Sequence, residues 1–140
     1  MEEVRDTFLG LFLSFRFEHW FMTHFEPVFP IDAAHVPYEH GKGYAIADAA
    51  SGRYRVMIMR SEDISRVLPE ATKEFIGIEV PVQKRANTAE DKFYSDVYRE
   101  FKKLPLPAWY VDNMLDDKVV QNFYSTQERE EMFYKYTTGS

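Results

Sequence analysis

Four kinds of side chain in this sequence could do chemistry: a cluster of histidines, two adjacent carboxylates, two small groups of basic residues and a C-terminal run of aromatics. His19, His24, His35 and His40 all lie in the first 40 residues, which raises the question of a metal site. His19 and His24 are five apart, about 140° around a helix, so they do not share a face as i, i+4 ligands would. The spacing therefore favours surface or hydrogen-bonded histidines, or a single general base, over a metal, and no metal is expected. Glu62 and Asp63 fall where a strand hands over to a helix, a place that often faces a site in an α/β sheet. The plainer role is local: acids at the start of a helix stabilise it through its dipole and can orient Arg60 or the turn. Arg53, Arg55 and Arg60, with Lys84 and Arg85 further on, could bind a sulfate, a phosphate or an acidic sugar, because guanidinium offers two parallel donors. Solvated charge on an edge strand is the alternative. Tyr110, Phe123, Tyr124, Phe133, Tyr134 and Tyr136 could stack on sugar or base rings, although such residues more often form core or interface.

These residues need elements to position them. Phe8, Leu11, Phe12 and Phe15 recur at helical spacing, and a second short helix carries Trp20, Phe21 and Phe25 before Pro27 and Pro30 end it. Ile31 to Lys42 reads as an irregular connection. Gly43 to Ala50 and Arg53 to Arg60 read as a hairpin around Ser51 and Gly52. Its second strand is apolar on both faces, Tyr54, Val56 and Ile58 on one and Met57 and Met59 on the other, as in a strand covered on both sides. Ser61 offers an N-cap oxygen for a following helix, which Pro69 is expected to break or restart. Ile78 to Val82 reads as an edge strand or extended segment. Asn87 or Thr88 should cap a helix with Phe93, Val97, Phe101 and Leu104 on one face, ended by Pro105 and Pro107. Short helices follow over Ala108 to Leu115 and Asp117 to Asn122. Ser125 and Glu128 have capping-box spacing, predicting a last helix to about Tyr136. The expected organisation is one domain over 1–140, with N-terminal helices and connection in 1–42, hairpin, helix and short strand in 43–82, and C-terminal helices in 83–140.

Composition sets the outer limits. The chain has 140 residues, 45% hydrophobic and 16% aromatic, enough for one core and against disorder. With 17 basic and 23 acidic side chains the net charge is −6, which argues against nonspecific binding to nucleic acid or an anionic membrane. There is no cysteine, hence no disulfide, thiolate metal site or cysteine nucleophile. Phe8 to Phe17 falls far short of the roughly 20 apolar residues that span a bilayer, and Glu2 and Glu3 occupy the region a signal peptide keeps positive. A soluble, cytoplasmic protein without membrane insertion is the expectation. Phosphate-binding glycine loops, the nucleophile-elbow motif and the H-E-x-x-H zinc motif are all missing from the sequence. From the residues alone, an α/β or α+β domain follows and no reaction does.

Four stretches add a resemblance. They are Trp20-Phe21-Met22-Thr23-His24-Phe25-Glu26-Pro27-Val28-Phe29-Pro30-Ile31-Asp32; Met57-Ile58-Met59-Arg60-Ser61-Glu62-Asp63-Ile64; Asn87 through Lys92, Tyr94 and Tyr98 to Leu104-Pro105-Leu106-Pro107, then Tyr110, Asp112 and Met114; and Asn122-Phe123-Tyr124-Ser125-Thr126-Gln127-Glu128. In this order they resemble the C-terminal portion of sulfotransferase-like proteins, in particular those described as capsular polysaccharide synthesis proteins. Pro30 stands where that family has glycine, and Asn122 where it tends to have histidine. The resemblance implies helices packed on a small sheet containing a β-hairpin, similar to the C-terminal part of a P-loop-like sulfotransferase fold. It implies 3′-phosphoadenosine-5′-phosphosulfate as the cofactor and a glycan hydroxyl as the acceptor. The family's donor-binding elements precede the part matched, so no catalytic or cofactor-binding residue carries over. The expectation is a diverged or truncated sulfotransferase-like protein that is not competent alone; the alternative is a noncatalytic binding or assembly module that forms a homo-oligomer.

Overall fold

The computed structural model describes residues 2–12, 16–82 and 92–139. Helix α1 (Glu2–Phe12) is followed by a single turn, α2 (Phe17–Trp20), that widens into a π-helical turn over Phe21–Phe25. A 3₁₀ turn, Ala33–His35, leads to the hairpin of β1 (Tyr44–Ala49) and β2 (Tyr54–Met59). Helices α3 (Ile64–Ile76), α4 (Ser95–Lys102), α5 (Ala108–Leu115), α6 (Lys118–Phe123) and α7 (Thr126–Thr138) complete the chain. Helices packed with a small antiparallel sheet make this an α/β fold, as the hydrophobic patterning predicted.

The hairpin is the middle layer. Its antiparallel register pairs Tyr44 with Met59 and Ala49 with Tyr54. Because side chains alternate across a strand, Tyr44, Ile46, Met57 and Met59 meet Val67 and Ala71 of α3. The opposite face, Ala45, Ala49, Val56 and Ile58, packs on Phe25, Ile31, Val36 and Tyr38. The strand with apolar residues on both faces is thus covered on both sides. A third cluster joins Ala33, Val119 and Phe123 to Phe21, Tyr38, Ile58 and Tyr124, docking α6 against the same side.

Helix ends follow the polar residues. The Asp117 carboxylate caps α6 by accepting from the Val119 and Val120 amides at 2.9 and 3.4 Å. Ser125 and Glu128 form the expected capping box of α7. Gly77, at φ +77°, closes α3 in the left-handed conformation that glycine adopts without strain.

Three local expectations are corrected, and one with two alternatives is resolved. Pro69 neither breaks nor restarts a helix: α3 runs through it, because Val67 and Ala71 on either side are buried against Tyr44 and that packing outweighs one missing backbone hydrogen bond. The capping position of α3 is Asp63 rather than Ser61. Of the two forms expected for Ile78 to Val82 it takes the extended segment, pairing with no strand among the described residues; the Val80 amide donates to the Thr72 hydroxyl at 3.0 Å. Phe93 is fully exposed, outside the helix that begins at Ser95. The caps expected at Asn87 or Thr88 lie outside the described residues.

Candidate functional site

The hairpin's second strand ends at Met59, and the next residue, Arg60, is driven inward by the turn that starts α3. Its side chain is only 9% exposed. The Nε donates to Asp63 Oδ2 at 2.5 Å; Nη1 donates to Glu128 Oε1 at 2.6 Å and to the Phe123 carbonyl at 3.3 Å. Asp63 also accepts from Arg66 Nη2 at 3.0 Å, so the carboxylate at the head of α3 binds two guanidinium groups and makes no capping bond to an amide. The Arg60 guanidinium lies 4.9 Å from the centre of the Tyr124 ring. The Tyr124 hydroxyl in turn donates to Glu62 Oε1 at 2.6 Å. Glu128 closes the loop by accepting from the Ser125 amide and hydroxyl at 2.8 and 2.7 Å. One buried arginine therefore clamps the β2–α3 turn to the α6–α7 turn.

The clamp's electrostatics are settled far from neutrality. Burial opposes the charge on Arg60, but its hydrogen bonds to Asp63 and Glu128 outweigh that and raise its pKa. Burial would also raise Glu128, yet Arg60 and the Ser125 donors hold it down at about 2. Asp63 is lowered in the same way: burial is overcome by Arg60 and Arg66. Burial and the bond to Glu62 push the Tyr124 phenol up. Burial likewise raises Tyr38, whose hydroxyl has no hydrogen-bond partner among the described residues and which meets Phe123 edge-on at 4.6 Å. Arg60, Asp63, Glu128 and Tyr124 thus all keep their ordinary charge at neutral pH, and none is poised to shuttle a proton there. What the arrangement can do is hold two turns rigidly beside a groove.

That groove, about 260 Å³, is lined by Arg60, Glu62, Tyr124, Glu131, Lys135 and Tyr136 among others. The other basic candidates stand elsewhere. Arg53 lies over the Tyr54 ring, and Arg55 lies over Phe75 and donates to the Phe75 carbonyl at 3.2 Å. Five residues of strand, roughly 17 Å, separate Arg55 from Arg60. Lys84 and Arg85 lie outside the described residues. His35 Nδ1 pairs with Asp32 Oδ2 at 2.6 Å, His40 Nε2 with the Asn122 carbonyl at 3.2 Å, and His24 packs against Trp20. No group of three or more potential metal ligands occurs among the described residues.

Sequence reasoning did not pair Glu128 and Tyr124 with Arg60. The capping-box spacing marked Glu128 as helical, but nothing local shows that its second oxygen meets a residue 68 positions away. Two further ties were missed. Asp117, fully buried, accepts from the Glu18 amide at 3.0 Å as well as capping α6. Asn122 donates to the Ala33 and Val36 carbonyls at 3.1 and 2.8 Å, fixing α6 to the 3₁₀ turn.

Residues 8–126, most of the chain and all of the β2–α3 turn and the Phe123–Ser125 turn, match the NKWYS family, described as "Putative capsular polysaccharide synthesis protein". The chain belongs to the NKWYS family. The match stops at the first residue of α7, so the Glu128 arm of the clamp lies just past it in this NKWYS protein. Neither a curated protein nor a solved structure matches the chain. No helix among the described residues is long and apolar enough to cross a membrane.

Proposed function

We propose that this NKWYS protein acts in capsular polysaccharide synthesis or modification as a sulfotransferase-like domain, and that the groove beside the Arg60 clamp receives a saccharide. The observation that carries the reading is that the family match runs through the clamp turns, Arg60 to Asp63 and Phe123 to Ser125, that build one wall of the groove. The groove's composition supports it: tyrosine rings offer flat apolar faces, and carboxylates at Glu62 and Glu131 accept from hydroxyl groups. Its three acids outnumber its two bases and Arg60 is already matched by Asp63 and Glu128, which favours a neutral, hydroxyl-rich ligand over a phosphate. The donor 3′-phosphoadenosine-5′-phosphosulfate follows from the sequence resemblance alone, and the reading assigns no residue of this chain to it.

Saturation-transfer NMR against a panel of hexoses, hexosamines and uronates should detect neutral sugars, with the signal lost in Tyr136→Ala. Silence across the panel would remove the saccharide reading. Calorimetry with adenosine 3′,5′-bisphosphate separates enzyme from binder: micromolar binding would supply the donor site that the transferase reading needs, and no heat at millimolar concentration would leave a binding role.

One observation favours a second reading, a noncatalytic module that associates with its own copies. Val4, Tyr94, Val97 and Tyr98 are exposed around an all-apolar groove between α1 and α4. Such surface is commonly covered by a partner.

A further inference from the structure

The groove beside the clamp has an apolar neighbour. Tyr124, Met132 and Tyr136 also border a second, half-open cavity of about 320 Å³ between α5, α6 and α7 with α1. Among the described residues no charged side chain lines it; Tyr110, Val111, Met114 and Val120 supply its walls. Polar groove and apolar cavity are therefore neighbours across three side chains, a division that suits a ligand with a hydroxyl-rich head and a hydrocarbon tail. An apolar cavity of about 150 Å³ holds a benzene, so by volume this one has room for about a dozen carbon atoms. The excess of carboxylates at the groove selects a neutral head over a sulfate or phosphate.

Resting on the saccharide reading above, we propose that the ligand is an amphiphilic glycoside, its sugar in the groove at Glu62 and Glu131 and its aglycone an alkyl-type chain seated in the cavity between α5 and α7. The tail supplies affinity through burial and the sugar supplies selectivity through its hydroxyls.

The test is calorimetric titration of the full chain with methyl, hexyl, octyl and decyl β-D-glucoside below their micelle concentrations, with sodium octyl sulfate as the charged-head control. Affinity should tighten up to about fourfold per added methylene, the gain expected for full burial, and level off near ten carbons. Octyl sulfate should bind more weakly than octyl glucoside. Met114→Phe, which fills the cavity from α5, should flatten the chain-length dependence while leaving saturation transfer from free sugar unchanged. Leu106→Phe fills it from the preceding loop and serves if the first variant does not fold. Equal affinity for methyl and decyl glucoside would overturn the tail site and leave the saccharide reading standing. A chain-length gain that survives both filled variants would overturn its location. Octyl sulfate binding as tightly as octyl glucoside would defeat the sugar head while leaving the cavity occupied. No binding by any glucoside would defeat both.

Discussion

Arg60 is the residue on which most depends. It is nearly buried, and its two carboxylate partners come from elements far apart in the chain, Asp63 at the head of α3 and Glu128 in α7. Removing one member of a buried, hydrogen-bonded ion pair leaves uncompensated charge, so Arg60→Ala should cost about 3–5 kcal/mol, read as a lower urea midpoint. Arg60→Lys should restore only part of this, because an ammonium cannot bind Asp63 and Glu128 from two separate edges as the guanidinium does. Glu128 gives the clamp an acid limit. Its pKa falls from the ordinary 4.5 to about 2 on folding, so the stability it contributes is fully present above pH about 4.5 and is lost as pH drops toward 2. Asp63, lowered from 3.8, adds loss of the same sign. A Glu128→Gln variant should show a shallower fall of unfolding free energy between these limits while keeping its helix cap, since glutamine also completes a capping box. An unchanged acid slope would mean that Glu128 titrates normally in the folded chain.

Two helices show how local rules and packing compete at the scale of the element. Ser125→Ala removes the α7 cap and should cost about 1 kcal/mol in thermal or chemical unfolding. Here sequence signal and structure agree, because a cap concerns residues three apart. In α3 they disagree. Pro69 lacks the amide that would bond the Ser65 carbonyl, yet the helix continues because Val67 and Ala71 are held against the hairpin. Pro69→Ala should therefore stabilise the protein, by up to about 3 kcal/mol, raising the melting temperature. No gain on substitution would indicate that the proline ring itself contributes packing of comparable size. The extended segment at Ile78 to Val82 makes the same point from the strand side. Its β-branched residues satisfied a local pattern, but no strand among the described residues pairs with it and the Thr72 hydroxyl takes the Val80 amide instead.

For the molecule as a whole, the apolar face between α1 and α4 predicts self-association. Val97, more than half exposed, lines it, and α4 carries Asp96 in its first turn and Lys102 in its last. Light scattering at high concentration should report a species larger than the monomer, and Val97→Lys should return it to monomer. A strict monomer for the unaltered chain would count against the assembly reading. The groove proposed to take a saccharide shares no lining residue with this face and lies against α7, so Val97→Lys should leave any sugar binding intact.

What the sequence determined by itself is what local periodicity and end chemistry encode: the hairpin from Gly43 to Arg60, the helices at Ala108 to Leu115 and after Ser125, and a second strand covered on both faces. These need only neighbours within a few residues, or a side-chain alternation that does not depend on which element covers it. It also marked Arg60, Glu62 and Asp63 as belonging together, since they share one turn. The tertiary structure alone decided that this turn meets Tyr124, Ser125 and Glu128, that Asp117 joins α2 to α6, and that an apolar cavity opens beside a polar groove. Each of these depends on contacts between residues separated by tens of positions, whose pairing is set when the apolar faces of the helices close on the hairpin. Carboxylate and guanidinium types are visible in the sequence, but which of many acids reaches Arg60 is a property of the packed core.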